Sequence, residues 1–354
     1  MKKLILKMFI FVLPFAVVLL ASTFLPLNFF TFRFEEALKV YGNPAFPGPF
    51  YPLQKSRMME EGDMGHGTPY AIKKDVYWET DRLGYRNSGS SANAEIVLVG
   101  DSNVYGNGIT QNKILSEVLE AKLQTNVFPY APAVLNTFIR DQQFRSARPK
   151  FVVLECIERN IYNRSPELAT ETIRRKQTMS DSLSSILCNN KSVIAPLIVV
   201  DRLLKMELLH YTRSLFTNSS LGVYHEGMFF YQGANAVANV KDRETINRIS
   251  ATISNYNKYF MSKNVHFIYM PIPNKETIYS DRLPGKPQVS VLKQLLHELE
   301  QKGVPTINLV DAFEVYRVKG GMPYQVDDTH WSEDGVKIAA DLLTAKITEL
   351  NSRN

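Results

Sequence analysis

Short, almost wholly apolar runs recur along most of this chain, separated by longer stretches of mixed character. Runs of this kind, rich in Val, Ile, Leu and aromatic residues, are typical of strands that are buried on both faces of a sheet. The predicted strands are Ile96–Val99, Asn126–Tyr130, Phe151–Ile157, Val265–Ile272 and Pro305–Leu309.

The stretches between these runs place apolar residues three and four positions apart, which is the period of an amphipathic helix. The predicted helices are Gln111–Gln124, Val134–Arg148, Arg243–Phe260, Val289–Gly303 and Ser332–Asn351. Strands that alternate with helices predict an α/β fold with a mainly parallel, doubly wound sheet.

The N-terminus has a different pattern. Lys2, Lys3 and Lys7 precede an apolar run from Met8 to Phe30 that is long enough to cross a bilayer. A cleaved signal peptide is the rival interpretation, but no clear small-x-small cleavage site is present. We therefore predict that residues 1–30 are a single transmembrane anchor, with the lysines in the cytoplasm and the rest of the chain outside it.

Two segments interrupt the α/β pattern. Residues 31–93 form a lead-in segment rich in Pro, Gly and Tyr, with a short edge strand predicted at Val76–Thr80. Residues 162–239 form an insertion in the main domain, residues 94–354. The insertion contains a predicted packed or membrane-surface helix, Ile194–Leu215, and a hairpin near His225–Gly233.

Composition narrows the classes of function. The 354-residue chain has a net charge of +6 and no basic cluster beyond the N-terminus, so it does not predict a nucleic-acid partner. Asp63, His66 and Asp75 have poor spacing for a metal, and no metal site is predicted. The two cysteines, Cys156 and Cys188, form no CxxC pattern, and the sequence leaves their pairing open.

Two motifs carry candidate chemistry. Gly100-Asp101-Ser102 directly follows the first predicted strand, and ligands of open α/β sheets bind at the carboxyl ends of the strands. Ser102 could cap the next helix, but Asp327-Asp328-Thr329-His330-Trp331 near the C-terminus offers a base and an acid. A serine nucleophile needs a base, and the base needs an acid to orient it.

The GDS turn and the later D-T-H-W block resemble the SGNH hydrolase superfamily, over roughly Phe50 to the C-terminus. Within it, the chain is most similar to the acyltransferase-like branch related to alginate and cell-surface polysaccharide O-acetylation proteins. The resemblance implies a three-layer, flavodoxin-like domain. It also implies that Ser102 is the nucleophile, His330 the base and Asp328 the orienting acid. Asp327 is the rival acid, because D-x-x-H is the commoner spacing in the superfamily.

The resemblance further points to groups for the oxyanion. The turn after the second strand usually supplies a backbone N–H, which here would come from Ala131. The block after the third strand carries Arg159 and Asn160, and an arginine would stabilise an oxyanion or hold an anionic sugar. A salt bridge from Arg159 to Glu155 or Glu158 is an equally weighted alternative.

The function that the resemblance implies is O-acetylation of a cell-surface or exported polysaccharide through an acetyl-serine intermediate. No cofactor is expected to be bound. The acetyl group would come ultimately from acetyl-CoA, delivered by a multi-pass membrane O-acyltransferase at the bacterial inner membrane to a domain facing the periplasm or exterior. Two alternatives remain: a membrane-anchored carbohydrate esterase, and a catalytically silent polysaccharide-binding or assembly protein.

Overall fold

The computed structural model describes residues 2–24, 31–40, 46–89, 93–141, 144, 147–168, 194, 198, 222–232, 243–283 and 291–353. Within these ranges, no helix combines the length and the apolar character that a membrane span requires.

The described strands form three sheets. Their bounds are Lys55–Glu60 (β1), Lys74–Glu79 (β2), Ile96–Val99 (β3), Val127–Tyr130 (β4), Phe151–Ile157 (β5), Gly222–His225 (β6), Met228–Tyr231 (β7) and His266–Ile272 (β8). The central sheet has the order β4-β3-β5-β8, and every neighbouring pair in it is parallel. The β1–β2 and β6–β7 pairs are antiparallel. The predicted α/β class with a parallel sheet is confirmed.

The described helices are mostly short. Their bounds are Lys2–Thr23 (α1), Phe34–Leu38 (α2), Ser102–Tyr105 (α3), Leu115–Leu123 (α4), Leu135–Arg140 (α5), Ile161–Arg164 (α6), Arg243–Met261 (α7), Lys275–Ile278 (α8), Val291–Gln301 (α9), Leu309–Val318 (α10) and Glu333–Asn351 (α11). Helices α4 and α11 pack against each other, whereas α7 packs on β8 and α9.

Strand β3 occupies the point where the strand order reverses. The chain moves from β3 to β4 on one side, and β5 pairs with β3 on the other side. The loops after two such strands diverge and open a crevice at their carboxyl ends, which is where ligands of open α/β sheets bind. The residues that follow β3 and β5 therefore lie at the preferred binding edge of this sheet.

The lead-in segment shares its core with the main domain. Trp78 of β2 is fully buried, and its ring lies 5.6 Å from that of Phe34 and 5.1 Å from that of Phe50. Its ring also lies 6.0 Å from Tyr105 at the end of α3. Because these rings exclude water together, the hairpin β1–β2 is fastened to the turn that follows β3.

Several element predictions need correction. Pro305–Leu309 is not a strand: one bridge joins Thr306 to Tyr269, and α10 begins at once because the Asn308 side chain accepts from the Asp311 N–H. The helix predicted from Val134 is described only as far as Arg140, where Asp141 becomes extended. The hairpin near His225 is confirmed by β6 and β7. Most of the helix predicted at 194–215 lies outside the described residues.

Candidate active site

The turn after β3 holds Ser102 by means of buried polar contacts. The Asp101 side chain caps α3 by accepting from the Asn103 N–H at 3.0 Å, and the Asp101 N–H donates to Glu155 of β5 at 2.8 Å. A Cβ on Gly100 would lie 2.3 Å from the Glu155 carboxylate, so only glycine allows this approach. Ser102 is thereby fixed at the first residue of α3, over the end of the sheet.

The loop before α11 brings His330 to the same place. A bridge between Tyr324 and Trp331 closes this loop, and the Gln325 N–H donates to the His330 carbonyl at 3.1 Å. The Trp331 side chain is fully buried. Helix α11 then begins at Glu333, and the side chain of its N-cap, Ser332, accepts from the Gly335 N–H.

Ser102, His330 and Asp328 lie in one line of contacts. The Ser102 Oγ is 2.6 Å from His330 Nε2, although the two residues are 228 positions apart in the chain. On the other side of the ring, His330 Nδ1 contacts Asp328 Oδ1, which also accepts from the His330 backbone N–H at 3.1 Å. This is the order of groups in which a base takes a proton from a serine and an acid orients the base.

The electrostatics of the pair suit this arrangement. Burial by itself would lower the pKa of His330, but the Asp328 charge and its hydrogen bond raise that pKa above 6.5. Burial works against ionisation of Asp328, yet the contact with His330 keeps the pKa of Asp328 well below its usual range. Asp328 is therefore an ionised acid beside an imidazole whose affinity for a proton is increased.

Asp327 and Asp328 have different contacts. Asp327 Oδ2 accepts from the backbone N–H groups of Gly62 at 3.0 Å and Ile72 at 2.9 Å, and Asp327 Oδ1 lies 3.0 Å from Lys74 Nζ. All three groups belong to the lead-in segment. Asp327 therefore fastens that segment to the loop, and the contact with His330 is made by Asp328.

The lead-in segment also reaches the acid. The Asp63 N–H donates to Asp328 Oδ2 at 3.2 Å. Two cations lie near the same oxygen, Lys74 Nζ at 3.8 Å and Arg33 Nη2 at 3.9 Å. The sequence analysis missed these contributions, because it considered Asp63 only as a metal ligand and assigned no role to Arg33 or Lys74. The one available signal was the Gly-rich, acidic stretch around residue 63.

Two buried cations hold the two loops. Lys275, the first residue of α8, donates to the carbonyls of Gln325 at 2.6 Å, Val326 at 2.9 Å and Asp328 at 3.2 Å. Its side chain is not solvated, since Lys275 is 1% exposed. Burial lowers its pKa to about 8.

Arg86 does the corresponding work for the turn after Ser102. Its Nη1 donates to the carbonyls of Tyr105 and Gly106, and its Nη2 to those of Tyr77 and Ile109. Its Nε donates to the Gln111 side chain at 3.1 Å, so every nitrogen of the guanidinium has a partner. Burial lowers the pKa of Arg86 to about 9.

The predicted oxyanion groups have mixed positions. The Ala131 N–H donates to the Pro129 carbonyl at 3.0 Å, which leaves it engaged and argues against the oxyanion role. The Arg159 guanidinium lies 5.5 Å from the centre of the Tyr231 ring, and the Arg159 backbone N–H donates to Asn274 Oδ1 at 3.1 Å. Asn160 ends the 3₁₀ turn after β5. The Ser102 N–H forms no hydrogen bond with any described residue, so it is open to an oxyanion. The roles of Arg159 and Asn160 stay predictions.

The sequence predicts no metal site, but one cluster of described residues has side chains of the kind that bind metals. Donor atoms of Asp63, Asp328 and His330 lie within 4.8 Å of one another. The hydrogen bond between His330 and Asp328 already uses the facing nitrogen, and Arg33 and Lys74 supply positive charge at the same carboxylate. These contacts fit the orientation of His330 better than they fit a cation.

Comparison with known proteins finds similarity in the C-terminal part of the chain. No curated protein matches significantly. Among solved structures, one crystal structure aligns at 13% sequence identity and a TM-score of 0.30, and the alignment covers 73% of this chain and 99% of that chain. Residues 226–353 match the family model described as the SGNH hydrolase-like domain of acetyltransferase AlgX. The matched part of the chain carries Asp328 and His330, and its similarity agrees with the SGNH-like resemblance that the motifs suggested.

Proposed function

We propose that this protein is an O-acetyltransferase that acts on hydroxyl groups of a cell-surface or exported polysaccharide. The observation that carries the proposal is the 2.6 Å contact between Ser102 Oγ and His330 Nε2, backed by Asp328. The matched family supports acetylation as the chemistry, because its description names an acetyltransferase. The finer description of the domain, a three-layer flavodoxin-like sandwich, is part of the same proposal.

The proposed reaction has two halves. His330 Nε2 takes the proton of Ser102 as Oγ attacks the acetyl carbonyl, and collapse of the tetrahedral adduct expels the donor group with that proton. Acetyl-Ser102 then remains. In the second half, His330 takes the proton of a sugar hydroxyl, whose oxygen attacks the acetyl carbonyl, and Ser102 leaves with the proton. Asp328 stabilises the imidazolium in both halves.

The source of the acetyl group defines the partner. Acetyl-CoA is cytoplasmic, so a domain outside the cytoplasm needs a multi-pass membrane O-acyltransferase to deliver the group. The apolar run of residues 1–30 supports a location at the bacterial inner membrane with the domain in the periplasm. No bound cofactor enters this mechanism, because the serine itself carries the acetyl group.

The test uses the purified full chain in detergent with an activated acetyl ester, with and without an oligosaccharide acceptor. We expect acetyl-Ser102 by mass spectrometry, acetylated sugar as product, and at least about a thousandfold loss on Ser102→Ala. Ser262→Ala is the matched control, since Ser262 is exposed and its hydroxyl donates to the Tyr259 carbonyl of its own helix turn. Its turnover should equal that of the unaltered protein.

The other outcomes separate the alternatives. Acetate released at the same rate with and without acceptor, with no acetylated sugar, would make the protein an esterase. No turnover and no Ser102 adduct, together with polysaccharide acetylation that survives Ser102→Ala in cells, would leave a polysaccharide-binding or assembly protein.

A further inference from the structure

We propose that Asp63, in the lead-in segment, is a positioning residue of the catalytic site that holds the Asp328-Thr329-His330 block and adds a second negative charge beside the His330 ring. This inference rests on the proposed function for its consequence in catalysis. The effect of Asp63 on the His330 ring itself does not depend on that function.

Asp63 holds the block through three hydrogen bonds. Its Oδ1 accepts from the Thr329 backbone N–H at 2.8 Å, and its Oδ2 accepts from the Thr329 hydroxyl at 2.6 Å. In the reverse direction, the Asp63 N–H donates to Asp328 Oδ2 at 3.2 Å. Asp63 therefore holds Thr329, the residue between the acid and the base. It also bonds to Asp328 at the carboxylate oxygen that does not contact His330.

The backbone around Asp63 packs closely against the loop that carries His330. A Cβ on Gly62 would lie 2.1 Å from the Asp327 carbonyl oxygen, so these two segments approach too closely for any residue other than glycine at position 62. The Gly65 N–H donates to that same carbonyl at 2.9 Å, and Asp327 Oδ2 accepts from the Gly62 N–H. The 62–65 turn is therefore bonded directly to the backbone and side chain of the loop that carries His330.

The charge of Asp63 also reaches the base. Its Oδ2 lies 3.9 Å from His330 Nδ1. Both of its oxygens accept hydrogen bonds, which is the pattern of an ionised carboxylate. Burial, and after it the neighbouring Asp328, raise the pKa of Asp63, so its ionisation is coupled to that of the acid beside it.

The charged groups around the pair of His330 and Asp328 come from several elements. Asp328 lies in the loop of His330 and Asp63 in the 62–65 turn, whereas the cations are Arg33 beside α2, Lys74 on β2 and Lys275 in α8. After burial and Asp328, the charge of Asp63 raises the pKa of His330, whereas Arg33 lowers it. Removal of the Asp63 charge would leave Asp328 as the only negative charge that contacts the ring among the described residues, with these cations beside it.

The test follows the titration of His330 in the full chain by NMR, with histidine labelled with ¹³C at Cε1. The chain has six histidines, and His330→Gln identifies the signal of interest. In Asp63→Asn, which keeps the size of the side chain and removes its charge, we expect the His330 midpoint to fall by about one pH unit. Asp75→Asn is the matched control, because Asp75 pairs with the exposed Arg57 on the outer side of the β1–β2 hairpin and should leave the midpoint unchanged.

A second measurement needs no variant. In the unaltered protein, the His330 signal should show a second, smaller inflection at lower pH as Asp63 takes up its proton. If catalysis is also present, Asp63→Asn should move the acidic limb of kcat/KM to lower pH by the same amount, because the rate requires a neutral His330.

The outcomes are separable from those of the proposed function, since the NMR titration needs no turnover. A lowered midpoint in Asp63→Asn, or the double inflection, supports the role of Asp63 even in a protein without transferase activity. An unchanged midpoint in a folded Asp63→Asn variant, or a single inflection should that variant fail to fold, would overturn the inference. Loss of rate without movement of the acidic limb would likewise reduce Asp63 to a structural residue.

Discussion

The loop that carries Ser102 and the loop that carries His330 are each held by a buried cation that donates to backbone carbonyls. Arg86 holds the first through the carbonyls of Tyr105, Gly106 and Ile109, and Lys275 holds the second. Loops lack the ladders of strands and helices, so their carbonyls need other donors when they are buried. Both halves of the site solve this problem with one multiply donating side chain.

The two cations differ in origin and in geometry. Arg86 belongs to the lead-in segment, and its planar fork lies 4.1 Å over the Trp78 ring. Lys275 belongs to the main domain and presents a single nitrogen to three carbonyls. The loop of the nucleophile thus depends on a segment outside the α/β core, whereas the loop of the base is held from within that core and again from outside by Asp63.

The largest effect on this comparison is expected from Arg86→Met. It leaves four buried carbonyls without their donor, at roughly 1–3 kcal/mol each, while removing the cost of a buried charge, so we expect a net loss of about 4 kcal/mol. Urea unfolding measures it. Arg57→Met, at an exposed ion pair that is screened by solvent, should leave stability nearly unchanged. A loss of similar size in both variants would contradict the role given to Arg86.

Lys275→Met should have a smaller effect on stability, about 2–3 kcal/mol, because three carbonyls rather than four lose their donor. The His330 loop should also become less ordered, so we expect the rate of acetyl transfer under native conditions to fall even though the protein stays folded. Lys263→Met, at an exposed lysine in the turn before β8, is the control and should change neither quantity. If Lys275→Met left the rate intact, the loop would not need this cation.

Asp327→Asn should give the smallest effect, about 1–2 kcal/mol, since the amide keeps one acceptor oxygen and loses the other. The change should appear locally, as faster tryptic cleavage after the exposed Lys73, because Asp327 holds the Gly62 and Ile72 amides. Asp328→Asn is the comparison and should abolish most turnover with little change in that cleavage. Equal cleavage rates in the two variants would show that the adjacent carboxylates are not divided in this way.

Periodicity predicted the central sheet closely. The strands Ile96–Val99 and Phe151–Ile157 form with the predicted bounds, because short and almost wholly apolar runs suit a sheet that is covered on both faces. The helix predicted from Ser332 is also found, with Ser332 as its N-cap. The run at Pro305 failed as a strand because it makes a single bridge before Asn308 starts a helix.

Local motifs also pointed to Ser102 and His330, and they reduced the candidates for the acid to Asp327 and Asp328. They could not locate Arg86, Lys275 or Asp63, whose partners lie at positions distant in the chain. The partners of Arg86 and Lys275 are mainly backbone carbonyls, and every residue type offers a carbonyl. No spacing in the sequence marks which of them a remote side chain will reach, so these contacts follow only from the folded arrangement.

The shared aromatic core around Trp78 has a practical consequence for anyone preparing a shortened form of this protein. A fragment that starts at the first central strand would lose Trp78 and Arg86, which would expose the Tyr105 ring and remove the donor from the carbonyls of Tyr105, Gly106 and Ile109. Such a fragment should aggregate or bind hydrophobic dyes. Recombinant boundaries therefore belong ahead of residue 31, because Thr31 and Phe34 are buried parts of this packing.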